Sequence, residues 1–291
     1  MKLTVIGLGH IGGSYAMSLR EAGAVGSITG SDLNPLHEQE ALRMGMIDEA
    51  LPLEAAVRAA DVVLLAVPVQ AACQLLPQIL DILPPQALVM DVGSTKQSIC
   101  TAAAGHPRRE RFVATHPIAG TENSGPAAAM TDLLAGKKAI ICEAEHSAGD
   151  ALEQVHKLYT ALQMDILNMN AAEHDVHLAY ISHLSHLTSF SLALSVLRAE
   201  KEEARIFQFA GSGFDSTARL AKSSPAMWTP IFTDNKQPLL DVLDRYMGIL
   251  SEFREQIISD DQQGLQNNME EANQIRRILE GNFHRNTTIS S

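Results

Sequence analysis

The feature that most constrains this chain is a glycine-rich run set between an apolar strand candidate and a helix. "GLGHIGGS" spans Gly7 to Ser14, directly after Leu3-Thr4-Val5-Ile6, and places glycines at 7, 9 and 12. Glycine accepts left-handed turns and close backbone approach that other residues resist. A helix that starts at such a turn aims free N–H groups at phosphate. The segment from Ser14 to Ala22 meets no helix breaker until Gly23. A second strand candidate, "SITGSD", then delivers Asp32, 25 residues after Gly7. Strand, glycines, helix, second strand and acid are the parts of a dinucleotide-binding βαβ unit. In this reading Gly7, Leu8, Gly9, His10, Ile11 and Gly12 form the cofactor turn, and Asp32 accepts hydrogen bonds from the adenosine ribose. The plainer reading is a structural turn, with Asp32 as a turn former before Asn34-Pro35. Asp32 would repel a 2′-phosphate, and Leu33-Asn34-Pro35 brings no cation. NAD is therefore expected ahead of NADP.

Further strand candidates are Val62–Val67, Ala87–Asp91, Phe112–Thr115 and Ala139–Cys142, joined mostly by Ala- and Leu-rich segments of helical period. Such alternation predicts a parallel sheet with helices on both faces. After residue 170 the strand-like runs stop, and Leu, Ala, Glu, Gln and Arg dominate. The expected fold is α/β: a Rossmann-type doubly wound sheet over 1–170, then an all-helical dimerisation domain over 171–291. The segment Val176 to Leu197 is apolar nearly all round. Such a helix has to be buried, and a second copy of the chain is the natural cover. The last ten residues are polar and are expected to fray.

The net charge of −12 argues against a nucleic-acid or anionic-membrane partner, which would need a basic surface. Three scattered cysteines form no C-x-x-C pair and suit a reducing cytoplasm. The N-terminus does not read as a signal peptide, and no apolar run reaches the roughly 18 residues of a membrane span. The Asn286-Thr287-Thr288 triplet reads as a chance sequon.

In a doubly wound sheet, ligands sit at the carboxyl ends of the strands. "LLAVPV" brings Val67 and Pro68 there, "DVGSTK" brings Ser94 and Lys96, and "THPIAGTE" brings His116, Thr121 and Glu122. A histidine titrates near neutrality and suits proton transfer; equally, His116 could merely hydrogen-bond its loop. Lys96 is expected as a solvated helix lysine. His174, His177, His183 and His186 resemble a metal cluster. At about 100° per residue, however, the first two fall opposite the last two, so no metal is expected. Arg219, with Lys222 on the same helical face, suits a carboxylate ligand or a surface salt bridge. The only Trp is Trp228.

In order, "GLGHIGGS", "DVGSTK", "THPIAGTE", "ISHLSH" and "GSGFDSTARLA" resemble the prephenate/arogenate dehydrogenase family over nearly the whole chain. "HPIAGTE" and "SHLSH" are the most specific parts. The resemblance implies NAD(P)-dependent oxidative decarboxylation of prephenate, toward tyrosine, by a homodimer. Carried over by motif, His116 is the catalytic histidine, and Ser94 orients it beside the nicotinamide. Arg219 grips a substrate carboxylate, and His186 lines the pocket with Ser182 one turn away. Thr121 and Glu122 form its polar rim, and Trp228 reaches the partner subunit's site. Arogenate is the alternative substrate, and tyrosine, being product-like, could compete at the same pocket. The chain departs from the family's FRD-x-T-R pattern: Asp215 and Ser216 replace its Arg and Asp. Other readings are a β-hydroxyacid-type dehydrogenase, which needs a catalytic lysine in the helical half, and a non-catalytic NAD-sensing dimer.

Overall fold

A computed structural model describes residues 1–280. The polar tail beyond them, with the Asn286 sequon, lies outside the described residues. The strands are β1 Lys2–Ile6, β2 Ser27–Ser31, β3 Glu49–Ala50, β4 Val62–Leu65, β5 Leu88–Asp91, β6 Phe112–Pro117, β7 Lys138–Cys142 and β8 Asp165–Met169. They form one eight-stranded sheet in the order β3-β2-β1-β4-β5-β6-β7-β8. Neighbouring strands are parallel except β6 and β7, which are antiparallel.

The strand period of two explains both faces of the sheet. Leu3, Val5, Val62 and Leu64 pack on one side with Tyr15 and Leu19. Ile6, Val63, Leu65 and Val89 pack on the other with Leu76 and Ile79. The helices that cover these faces are α1 His10–Glu21, α2 Pro35–Arg43, α3 Leu53–Arg58, α4 Val69–Ile82, α5 Gln97–Ala104 and α6 Gly149–Ala161.

Six strands coincide with expectation, and two went unread. β3 has two residues. β8, "DILNM", is a largely exposed edge strand without apolar alternation. His116 also lies inside β6, paired with Ile140, rather than beyond the strand's end.

After β8 the described chain is helical: α7 Ala171–Leu178, a π-helical segment Ala179–His183, α8 Leu184–Glu202, α9 Ser212–Ala218, α10 Pro225–Asp234, α11 Lys236–Ile258, α12 Gln262–Ala272 and α13 Ile275–Leu279. By compactness the chain forms two units, Met1–Leu239 and Leu240–Ser291. Among the described residues no helix is long and apolar enough to cross a membrane. Val176, Tyr180, Ile181, Leu194 and Leu197 are exposed in the single chain.

Candidate active site

β1 and β4 are adjacent, and the strand order reverses between them. The chain leaves β1 through Gly7 with φ of +93°. A Cβ on Gly7 would lie 2.4 Å from the Ala66 carbonyl oxygen, and one on Gly12 would lie 2.1 Å from that of Gly7. Both positions therefore exclude side chains. A Cβ on Gly9 would meet nothing within 4 Å, so its bare backbone faces open space. Gly9 is the N-cap of α1 and supplies no side-chain hydrogen bond. The first N–H groups of the helix are thus left for a ligand.

His10 is buried, and its Nε2 has no partner. Burial lowers its pKa against the opposing effect of the Asn123 backbone. Ile11 follows on the first turn of α1, and Val67 and exposed Pro68 flank the turn from the end of β4. Asp32 holds the turn from β2. Its Oδ2 accepts the Leu8 N–H at 2.8 Å, and its Oδ1 accepts the Asn34 N–H at 2.8 Å. Oδ1 also faces His37 Nδ1 at 3.3 Å, while Oδ2 keeps a second lone pair. Free helix N–H groups, an uncovered Gly9 and an orphaned His10 nitrogen fit a dinucleotide phosphate.

The second part of the site is built from buried side chains. His116 Nδ1 lies 2.8 Å from His174 Nε2, and His174 Nδ1 lies 2.7 Å from Asp175 Oδ1. Asp175 also accepts the backbone N–H groups of Lys96 and Gln97, at 2.8 and 2.9 Å, and so caps α5. Burial is the main cause that holds the His116 pKa well below the usual histidine value; the neighbouring His174, Lys96 and His183 add to it. At neutral pH His116 is an uncharged ring with a proton-accepting nitrogen. His183 is buried too, and desolvation lowers its pKa to about 4. Its Nδ1 meets Asn235 Nδ2 at 3.0 Å, while its Nε2 has no partner.

A third group faces the polar rim. Arg219 Nη1 donates to Glu122 Oε2 at 3.5 Å. His186 stacks on Trp228 with ring centroids 3.5 Å apart, and its Nδ1 meets the Ser182 carbonyl at 3.0 Å. Burial and the positive charge of Arg219 both lower the His186 pKa, against the Ser182 contact. Thr121 borders a cavity of about 290 Å³ with Ile118, Gly120 and Met130.

Several expectations need correction. Lys96 is not solvated: its side chain is 0% exposed, paired with Asp91, and it donates to the Thr115 carbonyl at 2.8 Å. Its place at the start of α5, whose first N–H groups Asp175 accepts, turns the side chain toward Asp91 and β6. The four histidines do not divide as a straight helix would divide them. His174 and His183 are both buried while His177 is exposed, because the π segment widens the turn between them. Ser94 lies in the loop after β5, but the ring that meets His116 Nδ1 is His174. The fold also places Trp228 against His183, His186 and Phe232 of its own chain. Asp215, where the chain departs from the family pattern, pairs with Lys222 at 2.7 Å.

Residues 15–167 match the family model of the prephenate dehydrogenase nucleotide-binding domain, and residues 170–271 match that of the prephenate dehydrogenase dimerization domain. The chain belongs to the prephenate dehydrogenase family. It is 32% identical over 270 residues to a prephenate dehydrogenase of Bacillus subtilis, covering 91% of this chain and 73% of that one. It also resembles the structure of Aquifex aeolicus prephenate dehydrogenase in complex with hydroxyphenyl propionate and NAD+. There the TM-score is 0.89 at 30% identity, over 96% of this chain and 98% of the other. Synechocystis arogenate dehydrogenase gives a TM-score of 0.78 at 28% identity, over 96% and 100% of the two chains.

For a prephenate dehydrogenase family member, reading by motif left out Asp175, the Lys96–Asp91 pair, and Asp234, which accepts from Thr95 and Ser98 at 2.5 and 2.7 Å. The adjacent His174-Asp175 at a helix start was the available signal.

Proposed function

We propose that this chain oxidises and decarboxylates prephenate with NAD, giving 4-hydroxyphenylpyruvate, carbon dioxide and NADH. The carrying observation is His116: a buried, uncharged imidazole on β6 with one ring nitrogen committed to His174. Gly7, Leu8, Gly9, His10, Ile11, Gly12, Asp32, Val67, Pro68 and Ser94 would hold NAD, which supplies the hydride acceptor. His116 takes the proton of the ring hydroxyl as the C–O bond becomes a carbonyl. Arg219 binds a substrate carboxylate, with Glu122 and Thr121 on the rim and His186, Ser182 and Trp228 as the wall. Loss of carbon dioxide then aromatises the ring, which drives the reaction forward. The protein's part is alignment, a base and cationic groups for the carboxylates.

Residues 1–170 form the nucleotide half and residues 171–291 the substrate and dimerisation half of a cytoplasmic homodimer. The exposed apolar face of α7, the π segment and α8 supports that assembly. Tyrosine, being product-like, is the proposed competitor at the substrate pocket. Arogenate, which carries an amino group in place of the side-chain keto group, is the second reading, supported by the likeness to Synechocystis arogenate dehydrogenase.

Appearance of NADH from NAD, or of NADPH from NADP, with prephenate or arogenate tests the activity and both preferences. As general base His116 contributes roughly 10²- to 10⁴-fold. His116→Asn should lower kcat by that factor with NAD affinity nearly unchanged; a wild-type kcat removes His116 from the mechanism.

A further inference from the structure

The hydrogen bonds behind His116 specify which of its nitrogens is the base. Backbone N–H groups only donate. Those of Lys96 and Gln97 reach the two Asp175 oxygens, so this carboxylate is a receiver. His174 Nδ1, 2.7 Å from Asp175 Oδ1, therefore carries its proton and donates it. Neutral His174 is left with a lone pair on Nε2, and His116 Nδ1, 2.8 Å away, donates into it. His116 keeps its own lone pair on Nε2.

We propose that His174, anchored by Asp175, is a positioning residue that fixes the Nδ1–H tautomer of His116 and leaves Nε2 as the base. This rests on the role of His116 proposed above. In the reaction the hydroxyl O–H bond breaks and an Nε2–H bond forms. The C–H electron pair leaves as hydride to NAD. The Nδ1–H of the resulting imidazolium remains donated to His174 Nε2, so the new charge forms against an acceptor already in place and His174 itself gains no proton. An orienting group of this kind acts by excluding the wrong tautomer.

The other charged and titratable neighbours of His116 do not take over this role. Lys96, on the loop after β5, is paired with Asp91, and an ammonium has no acceptor to offer. His183, on the π segment, directs its Nδ1 to Asn235. Asp175 is engaged by His174 and the start of α5. Because Asp175 also caps α5, the informative substitutions are at His174.

The test uses the full-length enzyme. His174→Leu should lower kcat by about tenfold or more while KM for prephenate and for NAD stays within about twofold. The acid limb of kcat/KM should move to lower pH: neutral His174 stabilises the His116 imidazolium as a hydrogen-bond acceptor, whereas the repulsion that lowers the His116 pKa acts only when His174 is itself protonated. His174→Gln, with an amide that both accepts and donates, should recover part of kcat. In nitrogen-15 histidine spectra His116 should be the Nδ1–H tautomer in the wild type and a mixture in His174→Leu. A folded His174→Leu enzyme with wild-type kcat and acid limb, alongside an inactive His116→Asn, overturns the inference and leaves the base intact. If His116→Asn is itself fully active, the assignment of the base has failed. The spectra then decide alone, and an Nε2–H tautomer of wild-type His116 overturns the inference.

Discussion

Two cation–carboxylate pairs belong to this site, and they are built in opposite ways. Lys96 and Asp91 show no exposed side-chain surface, whereas Arg219 and Glu122 are 54% and 33% exposed. Every polar atom of the first pair is engaged. Asp91 also accepts the N–H groups of Gly93 and Thr115 at 2.8 and 2.9 Å, and Lys96 donates to Thr115. That pair ties the ends of β5 and β6 together beneath His116. The second pair is long and half open, between a loop and the short turn Arg219–Lys222. Exposed pairs contribute about 0–1 kcal/mol, so Arg219 is able to exchange Glu122 for a substrate carboxylate at little cost. The two lysine- and arginine-bearing motifs look alike in sequence. Burial separates a brace from the cation proposed to bind the carboxylate.

The largest effect should come from breaking the sealed pair. Lys96→Met leaves Asp91 buried without its counterion, which costs about 3–5 kcal/mol. At roughly 2–4 °C per kcal/mol the melting temperature should drop by on the order of 10 °C. A melting temperature near wild type would mean the brace carries no stability, and the contrast with Arg219 would collapse.

Acidification probes the same buried interior. The unfolded chain takes up protons on histidine near pH 6.5. Folded His183 resists until about pH 4, and His116 and His174 are lowered as well, chiefly by burial. Between those values the unfolded state binds more protons, so stability should fall as pH drops from about 6.5 toward 4. Thermal denaturation across that range checks it. A flat profile would place these rings in contact with solvent.

Opening the exposed pair should spare the fold. Arg219→Ala should raise KM for prephenate about tenfold, equal to about 1.4 kcal/mol, with a melting temperature close to wild type. Arg219→Lys should recover only part, for lack of the planar fork. Asp215→Ala sharpens the comparison with the smallest expected effect. Its partner is Lys222, so KM should stay within about twofold. A KM rise matching that of Arg219→Ala would tie Asp215 to Arg219 after all.

The glycine turn and Asp32 were legible because each demands a residue type locally. Gly7 needs a left-handed φ, and Gly12 sits against the Gly7 carbonyl. Six strands and the helical second half were legible from periodicity, which burial imposes on either side of the sheet. β8 was not, since an exposed edge strand needs no apolar alternation. Motif reading named His116, Arg219, Glu122, His186 and Trp228, and the fold brings Arg219 to Glu122 and His186 to Trp228.

By itself, then, the sequence determined the βαβ turn, the order of sheet and helices, and the residue types able to carry a proton or a carboxylate. Tertiary structure alone decided their pairings. His116 meets His174 across 58 positions, the Lys96 N–H meets Asp175 across 79, and Arg219 meets Glu122 across 97. The π segment turns His183 inward where a regular helix would have turned it away. Such contacts are set by packing between distant elements, and no local spacing encodes them.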